Sequence, residues 1–138
     1  MFARASGGAI VYGHTYPLLR HSVAALVTSG TATLETALFG VPQVVCYKTP
    51  LPKLVAFLRR HILKVKYISL VNLIADSEVV PELVADTFTV AHIRRNLSAI
   101  LPSGNAREAM LRGYSEVWRR LGTDCAPDNA AAIITKLL

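Results

Sequence analysis

The hydrophobic pattern of residues 24–47 predicts a strand, a turn, a helix and a second strand. Segments 24–27 and 43–47 are largely apolar without alternation, which is typical of parallel strands buried on both faces. Between them, apolar side chains recur at the spacing of one helix face: Leu34, Ala37 and Leu38. Gly40 and Pro42 end this helix. The pattern is a βαβ half-unit, and it predicts a parallel sheet.

Further elements are expected on both sides of this unit. Short strands and helices alternate as far as residue 84, with strands at 9–12 and 67–71 and helices at 16–22 and 78–84. Each strand-to-helix connection places its loop at the carboxyl end of a strand, where open α/β sheets bind their ligands.

The chain after residue 88 is predicted to be helical. Thr89 is the expected N-cap of one helix. Asn105 and Glu108 have the spacing of a capping box, which predicts the start of a second helix that Gly122 ends. A last helix is expected from about residue 128.

These elements together predict an α/β fold, a partial Rossmann-like parallel sheet with flanking helices and a helical carboxy-terminal extension. Residues 1–88 are the expected α/β unit, and the helices of 89–138 are expected to pack on it within a single domain. A chain of 138 residues with 52% apolar side chains is long enough to form one proper core.

The turn that follows residue 27 carries the candidate chemistry. Ser29 and Thr31 offer hydroxyl groups, and Gly30 lets a ligand approach the backbone at a helix start, where unpaired N–H groups carry partial positive charge. Such a turn predicts an anion site. Glu35 lies about one helical turn further on, where its carboxylate can accept hydrogen bonds from a vicinal diol such as a ribose. The alternative interpretation is a capped α/β turn with a solvated Glu35.

Two more polar residues are expected at the carboxyl ends of strands. His14 follows segment 9–12 and Asn72 follows segment 67–71, on the side where Ser29 also lies. The Asn72 amide can donate and accept hydrogen bonds at once, which suits a phosphate or a sugar hydroxyl. Each residue also has an ordinary interpretation, His14 as a solvated loop residue and Asn72 as a turn former.

Positive charge is concentrated in the middle of the chain. The formal net charge of +6 favours an acidic partner, either phosphates or an anionic membrane surface. Several cations follow one another without an intervening acid: Lys48, Lys53, Arg59, Arg60, Lys64 and Lys66. The helix that holds most of them is amphipathic, so it either packs on the sheet or lies against anionic lipid. No recognised nucleic-acid-binding module accompanies these cations, and no nucleic-acid partner is expected.

The two cysteines, Cys46 and Cys125, form neither a metal-ligand spacing nor a disulfide framework. Cys46 lies in a predicted core strand, so we expect a buried thiol in a reducing compartment. No run approaches the roughly 18 consecutive apolar residues of a membrane span, and the amino terminus lacks a hydrophobic signal region. We expect a cytoplasmic protein without a metal or another cofactor.

Four motifs, taken in order, resemble the carboxy-terminal part of bacterial lipid-A-disaccharide synthase. They are Ser-Gly-Thr-Ala-Thr-Leu-Glu-Thr-Ala-Leu, Val-Pro-Gln-Val-Val-Cys-Tyr-Lys-Thr, Lys-Tyr-Ile-Ser-Leu-Val-Asn-Leu-Ile-Ala-Asp and Glu-Val-Val-Pro-Glu-Leu. The resemblance extends from about Ile10 to the last helix. Two positions depart from it, since Val71 stands where the family usually has the proline of Leu-Pro-Asn, and Ala85 where it usually has glutamine.

The resemblance implies the carboxy-terminal half of a GT-B glycosyltransferase. This inverting enzyme joins UDP-2,3-diacylglucosamine to 2,3-diacylglucosamine 1-phosphate in lipid A (lipopolysaccharide) biosynthesis. The implied UDP contacts are Ser29, Gly30, Thr31 and Thr33 for the pyrophosphate, Glu35 for the ribose, and Asn72 and Glu82 as secondary contacts. A helix start with hydroxyl groups can stabilise the leaving diphosphate without a metal. The general base is not assigned, because in this architecture the other half supplies it.

The resemblance also implies a fragment that lacks the acceptor-binding half and is inactive alone. Acylated substrates place the enzyme at the inner face of the inner membrane, as a peripheral protein. The residues expected to face anionic lipid are Lys53, Arg59, Arg60 and Lys64. Uncovered strand edges favour a homo-oligomer. Two other functions stay open at this point, a non-catalytic nucleotide-sugar-binding or assembly module and half of a UDP-sugar epimerase.

Overall fold

A computed structural model of the chain describes residues 8–28, 30–47 and 66–122. The elements of these ranges are α1 (Thr15–Arg20), β1 (Ala25–Val27), α2 (Gly30–Leu38), β2 (Gln43–Tyr47), α3 (Leu70–Ala75), β3 (Glu82–Val84), a 3-10 turn (Ala85–Thr87), α4 (Val90–Ile100) and α5 (Arg107–Leu121).

The three strands of the described ranges form one parallel sheet in the order β1-β2-β3. Val27 at the end of β1 pairs with Val45, and Val45 pairs with Glu82 at the start of β3. Tyr47 pairs with Val84, so β2 and β3 extend two residues beyond the end of β1 at the carboxyl edge. This sheet and its flanking helices confirm the predicted α/β, partial Rossmann-like fold.

Helices α2, α3 and α5 lie side by side, since α2 contacts α3 and α3 contacts α5. The side chain of Gln43 reaches Thr33 of α2 and Tyr114 of α5, which places both helices on the sheet face that Gln43 occupies. Helix α4 contacts β2 and α5. One buried core joins the sheet to these helices: Ala37, Val44, Val45, Cys46, Val71, Val80, Ile100, Met110, Tyr114 and Val117.

Helix α3 is only six residues long and is held at both ends. At its start, Ser69 Oγ accepts a hydrogen bond from a first-turn backbone N–H (3.3 Å). At its end, Arg120 donates to the carbonyl oxygen of Ile74 (3.0 Å), which fixes α3 to α5. Arg120 also pairs with Glu116, and hydrogen bonds from Arg119 and Arg120 lower the pKa of Glu116 to about 2.

The two elements predicted between residues 67 and 84 are wrong. Segment 67–71 is not a strand, because Ser69 caps a helix that begins at Leu70. Segment 78–84 is not a helix, because its last three residues pair with β2 as strand β3. Besides the local Ser69 cap, Glu82 accepts hydrogen bonds from the backbone at the start of the helix, and β3 forms by pairing with β2. The hydrophobic pattern reports none of these contacts.

Two predictions about strands near the amino terminus are also wrong. Residues 9–12 pair with no strand of the described ranges, and the side chain of Tyr12 is 77% exposed. Strand β1 is not buried on both faces, since it lies at the edge of the described sheet and Leu26 is 49% exposed. An apolar run alone does not distinguish an edge strand from a central one.

The predicted capping box at Asn105 is absent, and α5 begins at Arg107 without a side-chain cap. The backbone N–H of Ala106 donates instead to the carbonyl oxygen of Ala99 (2.9 Å), which ties the start of α5 to the end of α4. The turn is too tight for any residue but glycine at position 104, because a Cβ on Gly104 would lie 2.1 Å from that same carbonyl oxygen.

Several helix predictions are confirmed. Helix α1 covers most of the predicted segment 16–22. Thr89 caps α4, with its Oγ1 accepting from the backbone N–H of His92 (3.2 Å), and Gly122 follows α5 with a φ of 73°. The basic helix after residue 48 and the helix from residue 128 lie outside the described residues. The division into 1–88 and 89–138 stays a prediction.

Candidate functional site

Within the described residues, the start of α2 is open and has the features of an anion site. Helix α2 begins at Gly30, just after β1, and Ser29 lies outside the described residues. A Cβ built on Gly30 would meet no atom within 4 Å, so a ligand can approach the backbone there. Thr31 is exposed, and the first turn holds no acidic side chain. The unpaired N–H groups of this end carry partial positive charge toward solvent.

Thr33 lies in the same turn but points into the protein. Its side chain is fully buried, and its hydroxyl donates a hydrogen bond to the carbonyl oxygen of Gly30 (2.5 Å). This placement does not support a direct pyrophosphate contact from Thr33. The residue instead closes the first turn of α2 from the inside.

Glu35 is half-buried on α2 and lines a cleft of about 440 Å³ that runs along β1 between α1 and α2. Thr28 and Ala32 line the same cleft, which therefore extends toward the start of α2. Within the described ranges, the Glu35 carboxylate makes no hydrogen bond or ion pair. An ionised carboxylate with free lone pairs beside an anion site can accept hydrogen bonds from ligand hydroxyls.

The carboxylate of Glu82 is occupied by protein donors. Its Oε1 accepts from the backbone N–H of Ser69 (2.8 Å), from Ser69 Oγ (2.8 Å) and from Asn72 Nδ2 (2.9 Å). Its Oε2 accepts from the backbone N–H of Ile68 (2.9 Å). A negative charge at this position stabilises the start of α3. Burial, and then the charge of Glu82, raises the pKa of Tyr47 at the end of β2.

Asn72 lies within α3, and its side chain is fully buried rather than at the end of a strand. Its Nδ2 donates to the carbonyl oxygen of Val80 (2.8 Å) as well as to Glu82. Its Oδ1 accepts from the backbone N–H groups of Val79 (2.8 Å) and Val80 (2.9 Å). All of its hydrogen-bonding capacity is used inside the protein. The geometry thus favours a supporting role for Asn72 over a direct ligand contact.

The structure gathers the candidates into two sets, one along α2 and the other between α3 and β3. The two sets are close together in the sheet. Val27, the last residue of β1 before the turn into α2, lies in the same row of the sheet as Glu82 of β3, two strands away. Strand spacing puts them about 10 Å from each other. His14 belongs to neither set, since it is an exposed residue at the start of α1 without a capping hydrogen bond.

Three residues that shape this region were not candidates from the sequence: Ser69, Gln43 and Tyr114. Ser69 had a local signal, since a serine directly before an apolar run is a typical N-cap. Gln43 and Tyr114 had none, because they meet across 71 residues of sequence.

Burial also raises the pKa of Cys46, which agrees with the predicted buried thiol.

Other features of the predicted site were sought in residues 8–28, 30–47 and 66–122. No group of three His, Cys, Asp or Glu side chains in these ranges could hold a metal ion. None of the helices described there is both long and apolar enough to cross a membrane. The cations predicted to face lipid lie outside these ranges: Lys53, Arg59, Arg60 and Lys64.

The parallel sheet and the open helix start after β1 place the chain in the Rossmann-like class of α/β proteins. A family model described as lipid-A-disaccharide synthetase matches residues 8–121. The chain belongs to the lipid-A-disaccharide synthetase family.

Curated relatives agree with this family. A lipid-A-disaccharide synthase of Acidobacterium capsulatum is 43% identical over 120 residues, which cover 86% of this chain and 29% of the relative. The synthase of Myxococcus xanthus is 38% identical, with 94% of this chain and 33% of the relative covered. That of Syntrophus aciditrophicus is 36% identical, with 96% and 34% covered. The chain thus spans about a third of the length of these relatives.

Proposed function

We propose that the chain is the UDP-sugar-binding portion of a lipid-A-disaccharide synthase. The reaction joins UDP-2,3-diacylglucosamine to 2,3-diacylglucosamine 1-phosphate and releases UDP. The observation that carries the proposal is the open start of α2 at Gly30 beside a cleft lined by the uncommitted Glu35 carboxylate. Membership of the family supports the same substrate class. It does not favour an epimerase half or a non-catalytic module.

The start of α2 acts on the leaving diphosphate. Negative charge grows on this group as the sugar departs, and a helix start contributes about 0.3–2 kcal/mol to an adjacent anion. Ser29, Gly30 and Thr31 are the proposed pyrophosphate contacts, and Glu35 accepts hydrogen bonds from the ribose. Asn72 and Glu82 act indirectly, because they fix the backbone that leads from α3 into β3. The general base on the acceptor hydroxyl comes from the rest of the longer enzyme.

Replacement of Glu35 by alanine tests the ribose contact. A hydrogen bond to a charged group contributes about 1.5–3 kcal/mol. Glu35→Ala is therefore expected to lower the affinity for UDP about tenfold or more. Inorganic pyrophosphate has no ribose, and its affinity should change less than twofold. Isothermal titration calorimetry at millimolar ligand measures both. Glu108→Ala, at an exposed glutamate of α5, is the matched control and should change neither affinity.

If Glu35→Ala lowered the affinities for UDP and pyrophosphate equally, Glu35 would not bind the ribose. An absence of UDP binding by the unaltered chain would contradict the proposed function itself. No sugar transfer is expected from the chain alone, so turnover by it would show that the base lies within these 138 residues.

We also propose that the full enzyme rests on the inner face of the inner membrane as a peripheral protein. The acylated acceptor must be taken from a lipid phase, and each cation near an anionic surface contributes about 1 kcal/mol of attraction. The expected lipid-facing residues are Lys53, Arg59, Arg60 and Lys64.

Vesicle sedimentation tests the membrane contact. Substitution of Arg59 and Arg60 by glutamine should lower partitioning onto phosphatidylglycerol vesicles, most clearly at low salt, since attraction is screened over about 8 Å at physiological salt. The same change at Arg94 and Arg95, which are exposed on α4, is the charge-matched control. Equal losses in both double variants would show a general effect of net charge, and an unaltered chain that binds no vesicles would refute the contact.

A further inference from the structure

Gln43 is a polar residue in a position where an apolar one would be expected. It is the first residue of β2, and its side chain is fully buried between β2, α2 and α5. Burial of an amide is unfavourable unless hydrogen bonds replace the lost water. The partners of the amide therefore indicate why a glutamine lies here.

The Gln43 amide joins two helices. Its Nε2 donates to the backbone carbonyl oxygen of Thr33 in the first turn of α2 (2.8 Å) and to Tyr114 Oη of α5 (3.3 Å). Tyr114 Oη donates in turn to the carbonyl oxygen of Val41 (3.0 Å). The backbone carbonyl oxygens of Thr33 and Val41 can only accept, so this network fixes the orientation of the amide and of the phenol.

The same amide has one group without a partner. Within the described residues, Gln43 Oε1 is buried and accepts no hydrogen bond. An unpaired buried acceptor lowers stability, and an apolar side chain of the same length would avoid that loss. Stability alone therefore does not explain the glutamine, whereas the Nε2 donor and its connection to α2 give it a use.

The connection ends at the candidate anion site. Thr33, whose carbonyl oxygen accepts from Gln43, closes the first turn of α2 through its own hydroxyl, which donates to Gly30 O. A continuous series of hydrogen bonds thus runs from Tyr114 through Gln43 and Thr33 to the start of α2. None of its three side chains is exposed to a ligand, since each is at most 3% exposed.

We propose that Gln43, oriented by Tyr114, is a positioning residue that sets the first turn of α2 for diphosphate binding. The inference rests on the proposed nucleotide site at that turn. Gln43 does not touch the nucleotide. It holds the unpaired N–H groups of the helix start, and Glu35 one turn later, in the arrangement that the ligand requires. Preorganised donors bind a ligand more tightly than donors that must first be ordered.

The test compares ligand affinity with stability in the 138-residue chain. Gln43→Met keeps the side-chain length and removes both donor and orphan acceptor. We expect this variant to bind UDP and inorganic pyrophosphate about fivefold more weakly. Its midpoint of thermal unfolding should be unchanged or higher. Val117→Ala, at a buried residue of α5, is the control and should lower the midpoint while UDP affinity stays within twofold. Calorimetry and thermal unfolding measure the two quantities.

The inference would be overturned if Gln43→Met bound UDP and pyrophosphate as tightly as the unaltered chain. It would also be overturned if Gln43→Met lost no more UDP affinity than the destabilised control Val117→Ala. Should Gln43→Met fail to fold, Tyr114→Phe replaces it, with an expected two- to threefold loss of UDP affinity, and unaltered affinity there would equally overturn the positioning role. A parent chain that binds neither ligand would instead overturn the proposed function, which is a distinguishable result.

Discussion

Two residues other than glycine adopt left-handed backbone angles in the described ranges, Asp76 (φ 48°) and Ala85 (φ 54°). Asp76 ends α3, where aspartate tolerates this conformation. Ala85 follows β3 in a turn closed by Thr87, whose Oγ1 accepts from the backbone N–H of Val84 and donates to its carbonyl oxygen. These two bonds hold the turn, so the alanine at its first position carries steric strain of about 1–2 kcal/mol.

Ala85→Gly is therefore expected to be stabilising. Glycine adopts a positive φ without steric strain, and the larger entropy of the unfolded glycine offsets only part of the gain, so stability should rise by up to about 1 kcal/mol. Urea unfolding measures the change. Ala109→Gly, at an exposed position inside α5, is the control and should lower stability by about 1 kcal/mol. A loss in both variants would show that the turn does not impose this backbone angle.

Among the elements, α3 depends most on residues outside itself. A helix of six residues does not form in isolation, since even helices of about 12 residues are marginal in water. Its start is held by Ser69 and Glu82 and its end by Arg120. Asn72 connects it to the segment that enters β3.

Asn72→Leu tests this dependence. The substitution keeps the side-chain size but leaves the backbone N–H of Val80 without an acceptor, whereas Val79 N–H still donates to Ser77 O. It also removes the Nδ2 donor to Glu82 and to the Val80 carbonyl oxygen, and each such buried loss costs about 1–3 kcal/mol. The free energy of unfolding should therefore fall by about 2–5 kcal/mol. Leu73→Ala, at a half-exposed position of the same helix, should lower stability by less than about 1 kcal/mol. Similar losses in the two variants would contradict the role of the amide.

The difference between local and distant contacts explains which elements could be predicted from the sequence. The βαβ unit around α2 was predictable because local spacing, a glycine and a proline determine it. Between residues 67 and 84 the structure differs, since α3 and β3 are set by Glu82 and Asn72 across 10 or more residues. In the site, Gly30 and Glu35 lie where local spacing put them. Thr33 is buried because helix α2 packs against β2 and α5, and no local pattern contains these contacts.

At the scale of the whole molecule, the outer edge of β1 is uncovered within the described residues. Three apolar side chains near this edge are about half exposed: Leu18, Val23 and Leu26. An exposed apolar strand edge pairs readily with another chain. The chain is about a third of the length of its relatives, so we expect this edge to associate when the chain is prepared alone.

Leu26→Lys is expected to reduce this association, because a charged side chain on an edge strand opposes pairing. Sedimentation velocity at several protein concentrations measures the share of oligomer. Val90→Lys, at a residue of α4 that is 75% exposed and far from β1 in sequence, is the charge-matched control and should leave that share unchanged. An equal decrease in both variants would indicate net charge rather than the edge as the cause, and a strictly monomeric parent would rule out a homo-oligomer.

The unequal strand ends give the start of α2 an asymmetric surrounding. Since β2 and β3 continue two residues beyond β1, they rise about 7 Å above the point where the chain turns into α2. Within the described residues, one side of the candidate anion site is thus protein of low permittivity, while the other is open to solvent. A dipole beside such a wall acts on an anion more strongly than the same dipole on a convex surface. The diphosphate that we propose at this helix start should therefore lie against the ends of β2 and β3.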